Sequence, residues 1–333
     1  MKRFLNVFLL AVILPAFIIT GCKDKEDPQP QPKGTFETLS NYMADNGFDL
    51  SDVLLIPTKW VVAPELIAKG GIVDPTDNSI PGYYTFDIRS ADDFATGHIK
   101  GSMNVKLTDV LTKANEVGNE KPILVVCASG QTAGRAVMAL RLSGFPDAQV
   151  MKFGMSYWNE AFDVWTGNIG STAVGNDNWV NDASASLPTN AYPGWETTST
   201  DGAVILADAV AAMLAESDWG VSSTTVLNDP LGYNTYNYWD EATYLSVGHY
   251  KGTYLYSEIK LDNVSALPTA DDCLIYCDTG QTSSIVAAWL KVLGYNSKSI
   301  KYGVNSLSYQ TLEGVSGHVV WHHSKDYSYE TGN

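Results

Sequence analysis

The sequence predicts an α/β protein with two similar domains, each a central, mostly parallel sheet flanked by helices. Short apolar runs alternate with segments whose apolar residues recur at every third or fourth position, as strands and helices do. A six-residue segment, Cys-x-(Ser/Thr)-Gly-Gln-Thr, occurs at residues 127–132 and again at residues 277–282. Two flanking motifs recur at nearly the same spacing, which indicates that a whole domain is duplicated.

The repeat spacing is close to 150 residues. Gly-His-x-Lys-Gly begins at Gly97 and at Gly248, a step of 248 − 97 = 151, and the two cysteines are 277 − 127 = 150 apart. Lys-aromatic-Gly begins at Lys152 and at Lys301, a step of 301 − 152 = 149. Three motifs in one order at one spacing indicate two complete domains and not a solenoid of short repeats.

Each six-residue segment lies between a predicted strand and a predicted helix. Apolar residues 123–126 and 274–276 come before the cysteines, and helices are predicted over residues 133–142 and 283–293. A thiol at a helix N-terminus is surrounded by N–H groups, which would stabilise a thiolate or a bound anion. Cys127 and Cys277 are therefore candidate nucleophiles. A buried inert cysteine is the alternative, and its recurrence in two matching loops argues against it.

Together these motifs resemble the rhodanese (sulfurtransferase) family. The resemblance is carried by Phe-Asp-Ile-Arg at 86–89, Gly-His-Ile-x-Gly at 97–101, the cysteine loop, and Phe-Gly-Met at 153–155 with Trp158. It covers residues 50–315 and implies two rhodanese-like domains in tandem. It also implies that a cysteine takes sulfane sulfur from a small donor (thiosulfate, mercaptopyruvate or polysulfide). The resulting persulfide passes the sulfur to a thiol or cyanide acceptor, without a cofactor.

The resemblance further implies that both loops contact substrate. The loop residues expected at the site are Ala128, Ser129, Gly130, Gln131 and Thr132, and Asp278, Thr279, Gly280, Gln281 and Thr282. The loops are similar to those of mercaptopyruvate sulfurtransferases, which use a hydroxyl two residues after the cysteine. Because Asp278 stands where the first loop has Ala128, we expect Cys127 to be the better site for small anions.

Asp87 and Arg89 are also candidate substrate-binding residues, since an ion pair between them could shape the rim of the first pocket. The alternative is a structural salt bridge that closes the turn between strand and helix. In domain two, Asp229 is the candidate counterpart of Asp87. That match predicts an insertion of (249 − 229) − (98 − 87) = 9 residues before His249 and the loss of the arginine.

Two other functions are possible for such loops. A phosphatase of the Cys-x5-Arg type needs an arginine six residues after the cysteine to hold phosphate oxygens, but Ala133 and Ser283 stand there. A non-catalytic binding or sulfur-carrier module remains the alternative to an enzyme. The presence of both cysteines favours the enzyme.

The histidines are not expected to form a metal site. His98 and His249 are interpreted as hydrogen-bonded turn residues. His318, His322 and His323 lack both a helical pattern and suitably spaced carboxylates. We therefore expect neither a metal nor another cofactor.

The N-terminus has the parts of a secretory signal. Lys2 and Arg3 precede the apolar residues 4–20, and small residues lead to Cys22. This looks like a bacterial lipoprotein signal over residues 1–22. It predicts export and lipid attachment at Cys22 on the cell envelope, in the periplasm or at the outer membrane, with an uncleaved membrane anchor as the alternative.

The rest of the chain divides by composition. The predicted parts are a proline-rich tether at residues 23–34, domain one at 35–170, a polar connector at 171–202 and domain two at 203–333. The net charge of −16, without a basic cluster after the signal, argues against nucleic-acid binding. The expected partners are a small anionic sulfur donor, a thiol acceptor and, through Cys22, a membrane. Besides Cys22 the chain has Cys127, Cys273 and Cys277; Cys273 is expected to be a buried apolar residue.

Overall fold

The computed structural model describes residues 34–332. The predicted signal peptide, the lipid-attachment residue Cys22 and residues 23–33 of the predicted tether lie outside the described residues. Within residues 34–332, no helix combines the length and the apolar character that crossing a membrane requires.

Domain one consists of short parallel strands joined by helices. Its helices are α1 (Thr35–Asp45), α2 (Leu50–Leu55), α3 (Ala91–Thr96), α4 (Val110–Val117), α5 (Ala133–Leu142) and α6 (Met155–Trp158). Its strands are β1 (Val61–Val62), β2 (Tyr84–Asp87), β3 (Met103–Asn104), β4 (Ile123–Val126) and β5 (Gln149–Met151).

Domain two has the same organisation and follows a connector that contains strand β6 (Trp179–Val180). Its helices are α7 (Gly202–Ala215), α8 (Ser223–Asn228), α9 (Glu241–Val247), α10 (Gln281–Val292) and α11 (Tyr309–Glu313). Its strands are β7 (Gly220–Ser222), β8 (Asn234–Asn237), β9 (His249–Tyr250), β10 (Tyr254–Leu255), β11 (Cys273–Tyr276) and β12 (Ser297–Lys301).

Both domains have a five-stranded parallel sheet with the same strand order. The order is β1-β5-β4-β2-β3 in domain one and β7-β12-β11-β8-β10 in domain two. The strand that precedes each cysteine, β4 or β11, is the central strand, and all of its residues are buried. The prediction of two similar α/β domains is confirmed. In such sheets ligands bind at the carboxyl ends of the central strands, where Cys127 and Cys277 lie.

The second strand of domain two lies later in the chain than predicted. Residues 224–228, predicted as that strand, belong to helix α8. Strand β8 pairs with β11 so that Asn237 lies opposite Tyr276, just as Asp87 lies opposite Val126 in domain one. Asn237 and not Asp229 is therefore the counterpart of Asp87. The step to the histidine is 249 − 237 = 12 against 98 − 87 = 11, so the predicted nine-residue insertion was wrong.

The two domains share one hydrophobic core. Helices α5 and α10 pack against each other, α7 contacts both, and α1 lies against α7. Val137 of α5, Val210 and Met213 of α7, and Ile285 of α10 belong to one buried cluster. Burial of this apolar surface holds the domains together.

Each domain is covered by the segment that follows the other domain. Strand β6 pairs antiparallel with β9, so that Val180 lies opposite His249. Residues 315–332, here named the C-terminal strap, return to domain one, where Glu330 pairs with His98. Val180 and Glu330 are 330 − 180 = 150 residues apart, so the duplication extends to these covering segments.

The histidines of the two Gly-His motifs are structural, as predicted. His98 Nδ1 lies 2.9 Å from the carbonyl oxygen of Phe94, and the two rings stack at 3.9 Å. His249 stacks on Tyr244 at 3.6 Å in the same way. Each side chain is buried, and each ring fixes the turn that begins the following strand.

Candidate active site

Cys127 lies in a loop whose backbone N–H groups surround its sulfur. Strand β4 ends at Val126, and Cys127 Sγ lies 3.2 Å from the backbone nitrogen of Gly130. The residue is only 5% exposed. Burial raises the pKa of the Cys127 thiol, and the loop amides, first among them that of Ala133, act in the opposite direction.

Cys277 has the same position with one additional polar neighbour. Its Sγ accepts a hydrogen bond from the backbone N–H of Ser283 at 3.3 Å, and the Ser283 hydroxyl oxygen lies at 3.6 Å. That hydroxyl is also 2.8 Å from the hydroxyl of Ser299. Burial raises the pKa of the Cys277 thiol, the charge of Asp278 adds to this, and the Ser283 N–H and hydroxyl lower it.

Two findings at the thiols differ from the sequence prediction. The sequence predicted that the helix N-terminus would stabilise a thiolate. In the fold the effect of burial on the pKa is larger, so the pKa values of both thiols are raised and the neutral thiol is favoured. The contact of Ser283 with Cys277 was not predicted. Its only sequence signal was a hydroxyl residue at the sixth position after the cysteine, where domain one has Ala133.

The repeated Lys-aromatic-Gly motif supports the cysteine carbonyl. Phe153 and Tyr302 both have φ of 61°, an unusual conformation for residues with a side chain. The glycine that follows each lies so close to the cysteine that a Cβ on Gly154 would be 2.1 Å from the carbonyl oxygen of Cys127. Only glycine fits there, which explains why the motif recurs behind both loops.

The glutamines of the two loops cross the domain interface reciprocally. Gln281 Oε1, from domain two, accepts a hydrogen bond from the backbone N–H of Phe153 at 2.8 Å. Gln131 Oε1, from domain one, accepts one from the N–H of Tyr302, also at 2.8 Å. Each glutamine thus holds the turn that supports the cysteine of the other domain. We name these two contacts the glutamine exchange.

Asp87 and Arg89 form the structural salt bridge that was considered for them. Arg89 Nη2 lies 2.6 Å from Asp87 Oδ2, and their side chains are 6% and 1% exposed. The same Nη2 donates to the carbonyl oxygen of Gly97 at 2.6 Å, which closes the turn after helix α3. In domain two Trp239 occupies the place of Arg89, two residues after the strand.

The carboxylate of Asp278 anchors the C-terminal strap. It accepts hydrogen bonds from Trp239 Nε1 at 2.6 Å and from the backbone N–H of Val319 at 2.8 Å, and it lies 3.0 Å from His318 Nδ1. Within residues 34–332, no group of three or more His, Cys, Asp or Glu side chains is arranged to hold a metal ion.

The other loop side chains have mainly local partners. Ser129 Oγ accepts from Gln131 Nε2 at 3.1 Å, and Thr279 Oγ1 accepts from the backbone N–H of Gln281 at 3.2 Å. Arg135, near the first loop, donates from its guanidinium to the carbonyl oxygens of Met213 and Glu216 at the end of helix α7. It is therefore directed away from Cys127, as the exclusion of a phosphatase requires.

A cavity of about 280 Å³ adjoins the second loop, and we name it the interdomain cleft. Lys59 and Lys152 line it from domain one, and Thr279, Gln281 and Thr282 line it from the Cys277 loop. The Cys277 loop residues predicted from sequence thus lie near Lys59 and Lys152, and no local sequence pattern predicted that proximity.

Comparison with known proteins identifies the family of domain one. The rhodanese-like domain family matches residues 75–161. The thiosulfate sulfurtransferase GlpE of Shewanella oneidensis is 32% identical over 75 residues, which are 22% of this chain and 74% of that protein. By that relationship the chain belongs to the rhodanese family.

Two further relatives are uncharacterized. YqhL of Bacillus subtilis is 32% identical over 22% of this chain, and YibN of Escherichia coli is 39% identical over the same share. The chain spans 57% and 52% of their lengths. The structure of SseA, a 3-mercaptopyruvate sulfotransferase from Escherichia coli, is 16% identical with a TM-score of 0.27, over 73% of this chain and 98% of that chain. The family and the relatives named sulfurtransferase support a role in sulfur transfer in general.

Proposed function

We propose that the protein is a sulfurtransferase that carries sulfane sulfur as a persulfide on Cys127, Cys277 or both. The observation that supports it most is the repetition of one arrangement. In each domain a thiol that follows the central strand accepts an N–H contact, from Gly130 of the loop in domain one and from Ser283 in the first turn of helix α10 in domain two. The loop residues 128–132 and 278–282 are proposed as the substrate contacts. Asp87 and Arg89 are not proposed as substrate contacts, since their charges are already paired with each other.

The reaction proceeds in two displacements. The cysteine thiolate attacks the outer sulfur of the donor, a new S–S bond forms, and the donor's S–S or C–S bond breaks. With thiosulfate the leaving group is sulfite, which takes the bonding electron pair. Cyanide or a thiolate then attacks the terminal sulfur of the persulfide and restores the cysteine thiolate. The loop N–H groups stabilise the negative charge that both the thiolate and the persulfide carry.

The test is the mass of the protein after incubation with sulfane donors. Reduced wild-type protein should gain one sulfur atom with thiosulfate, mercaptopyruvate or polysulfide, and cyanide should remove it as thiocyanate. The double variant Cys127→Ser, Cys277→Ser should gain none. Cys273→Ser is the matched control, because Cys273 is a fully buried thiol on strand β11 and should not take part.

A non-catalytic binding or sulfur-carrier module is the second candidate. It would be the better assignment if the wild type takes up no sulfur from any donor of the panel. It would also be preferred if the persulfide forms but neither cyanide nor a thiol acceptor removes it.

We propose in addition that the protein is exported and held at the bacterial cell envelope by lipid on Cys22. The signal-like sequence of residues 1–22 supports this. Cells given a fatty-acid probe should label the wild type and not Cys22→Ser, and label on the variant would contradict the proposal.

A further inference from the structure

We infer that the interdomain cleft binds a small anionic sulfur donor, with Lys59 and Lys152 of domain one holding its charged oxygens beside the Cys277 loop. The inference rests on the proposed function and adds the charge of the substrate and the residues that recognise it. Neither cysteine loop contains a basic residue, so a cation for the donor must come from elsewhere in the fold.

The glutamine exchange places Lys152 next to the second loop. Lys152 directly precedes Phe153, whose N–H is bound by Gln281 of that loop at 2.8 Å. The cleft between them is closed on the loop side by Thr279 and Thr282, two and five residues after Cys277. A volume of about 280 Å³ accommodates a donor of a few heavy atoms between the lysines and the threonines of the Cys277 loop.

Neither of the two lysines takes part in a salt bridge. Among the salt bridges of residues 34–332, none includes Lys59 or Lys152. No carboxylate lines the cleft in the part of the chain that the structure describes. Burial and the neighbouring charge of Lys59 lower the pKa of Lys152, while the charges of Asp278 and Glu65 act in the opposite direction. A bound anion would neutralise both ammonium groups and remove this repulsion.

The duplicated half does not reproduce this arrangement. The carbonyl of Trp60 accepts a hydrogen bond from the N–H of Val150, and in domain two the carbonyl of Trp219 accepts one from the N–H of Ser299. Trp219 is thus the counterpart of Trp60, and Asp218, the residue before it, is the counterpart of Lys59. Lys301 is the counterpart of Lys152. The counterpart of Lys59 is therefore acidic, and its charge is already paired, since Asp218 lies 2.6 Å from Lys298.

This charge distribution favours Cys277 for anionic donors, opposite to the expectation based on Asp278. That expectation considered only the neighbour in sequence. In the fold the Asp278 carboxylate is bound by Trp239 and by the Val319 N–H, and two lysines from the other domain face the cleft.

The first experiment measures binding without chemistry. In a Cys127→Ser, Cys277→Ser background, thiosulfate binding is measured by calorimetry at low salt. Lys59→Met and Lys152→Met should each weaken binding about tenfold, because each removes one ammonium at short range. Lys301→Met is the matched control and should leave binding unchanged. Equal binding in all four proteins, or an equal loss with Lys301→Met, would overturn the inference.

The second experiment separates this inference from the proposed function. In a Cys127→Ser background, sulfur loading of Cys277 is followed with thiosulfate and with a neutral organic trisulfide plus a free thiol. The thiol cleaves the mixed trisulfide that Cys277 first forms, takes the alkylthio group as a disulfide and leaves the persulfide. The lysine variants should slow loading by thiosulfate about tenfold and leave loading by the trisulfide unchanged. If Cys277 loads from neither donor while thiosulfate binding still depends on the lysines, the anion site stands and Cys277 is not a sulfur acceptor; if wild-type protein with Cys127 intact also takes up no sulfur, the proposed function fails as well. If both donors load equally well in every variant, the proposed function stands and the inference fails.

Discussion

At the residue scale, the two thiols have different neighbours at the sixth position after the cysteine. Ser283 places a hydroxyl 3.6 Å from Cys277 Sγ, whereas Ala133 offers domain one only its backbone N–H. A hydroxyl can donate a hydrogen bond to the negatively charged sulfur, both in the thiolate and in the persulfide. The two halves of the duplication are thus chemically different at the reacting atom.

Exchanging these two residues should exchange part of the reactivity. In Ser283→Ala, alkylation of Cys277 by iodoacetamide at pH 8 should slow by about threefold to tenfold, since a hydrogen bond to the thiolate is lost. Ala133→Ser should accelerate alkylation of Cys127. Peptide mass analysis assigns the rates to each cysteine, and an unchanged Cys277 rate in Ser283→Ala would contradict the role given to the hydroxyl.

The raised pKa values predict a steep pH dependence. Burial disfavours the thiolate, so at neutral pH each cysteine is mainly protonated and its reactive fraction grows as pH rises. Alkylation at Cys127 and Cys277 should therefore rise about tenfold per pH unit from pH 7, without a plateau below the ordinary thiol pKa of 9.0. A plateau below pH 8 at either residue would show that the loop amides outweigh burial there.

At the scale of elements, the glutamine exchange makes each cysteine loop depend on the other domain. The turn behind Cys127 contains Phe153 in a left-handed conformation, and its N–H is bound by a side chain from domain two. A buried N–H without a partner costs about 1–3 kcal/mol. Loss of one glutamine should therefore loosen the loop across the interface.

We predict that Gln281→Met alters Cys127, although the two lie in different domains. With Cys277 replaced by Ser, alkylation of Cys127 should change by about fivefold or more, because a cost of ~1 kcal/mol or more falls on its supporting turn. The reciprocal variant, Gln131→Met in a Cys127→Ser background, should affect Cys277 in the same way. Rates within twofold of the parent in both variants would show that each loop is rigid without the exchange.

Local sequence patterns predicted the elements well and their long-range contacts poorly. Helix α5 begins and ends where its apolar periodicity predicted, at Ala133 and Leu142, because that signal lies within ten residues. The glutamine exchange joins residues 128 and 171 positions apart, and only the fold brings them together.

The second strand of domain two was predicted at the wrong residues for a different reason. The prediction followed the acidic residue Asp229, whereas the strand is placed by burial and pairing, which accept Asn237 at the position of Asp87. The lysines of the cleft were missed for a related reason. Lys152 was noticed only as part of a repeat, and Lys59 belongs to no motif.

At the scale of the whole molecule, the shared core and the C-terminal strap unite the domains. Trp321 of the strap is 1% exposed and packs against Phe153 and Trp165 beside the first loop. Its backbone N–H donates to Asn305 Oδ1 of domain two at 2.9 Å. The strap therefore connects both halves at a point close to the candidate active site.

Trp321→Ala should lower the free energy of unfolding by about 3–5 kcal/mol, as expected for removal of a buried aromatic side chain. Urea denaturation followed by circular dichroism measures this, and both domains should still unfold in one transition. His322→Ala is the matched control on the same segment, because its side chain is 58% exposed and its loss should cost less than about 0.5 kcal/mol. A typical point mutation costs about 1 kcal/mol. A smaller loss for Trp321→Ala would argue against a strap that stabilises the fold.

The return of the strap to the first domain affects the order in which the protein can be completed during synthesis. The ribosome releases His98 early, but its partner Glu330 follows 330 − 98 = 232 residues later. The first half therefore takes its final form only after the second half has been made, and its aromatic surface around Trp158 stays uncovered until the strap residue Ser328 reaches it. Contacts so distant in sequence form slowly, so the first half remains exposed to proteases and to association with other chains until the strap has docked.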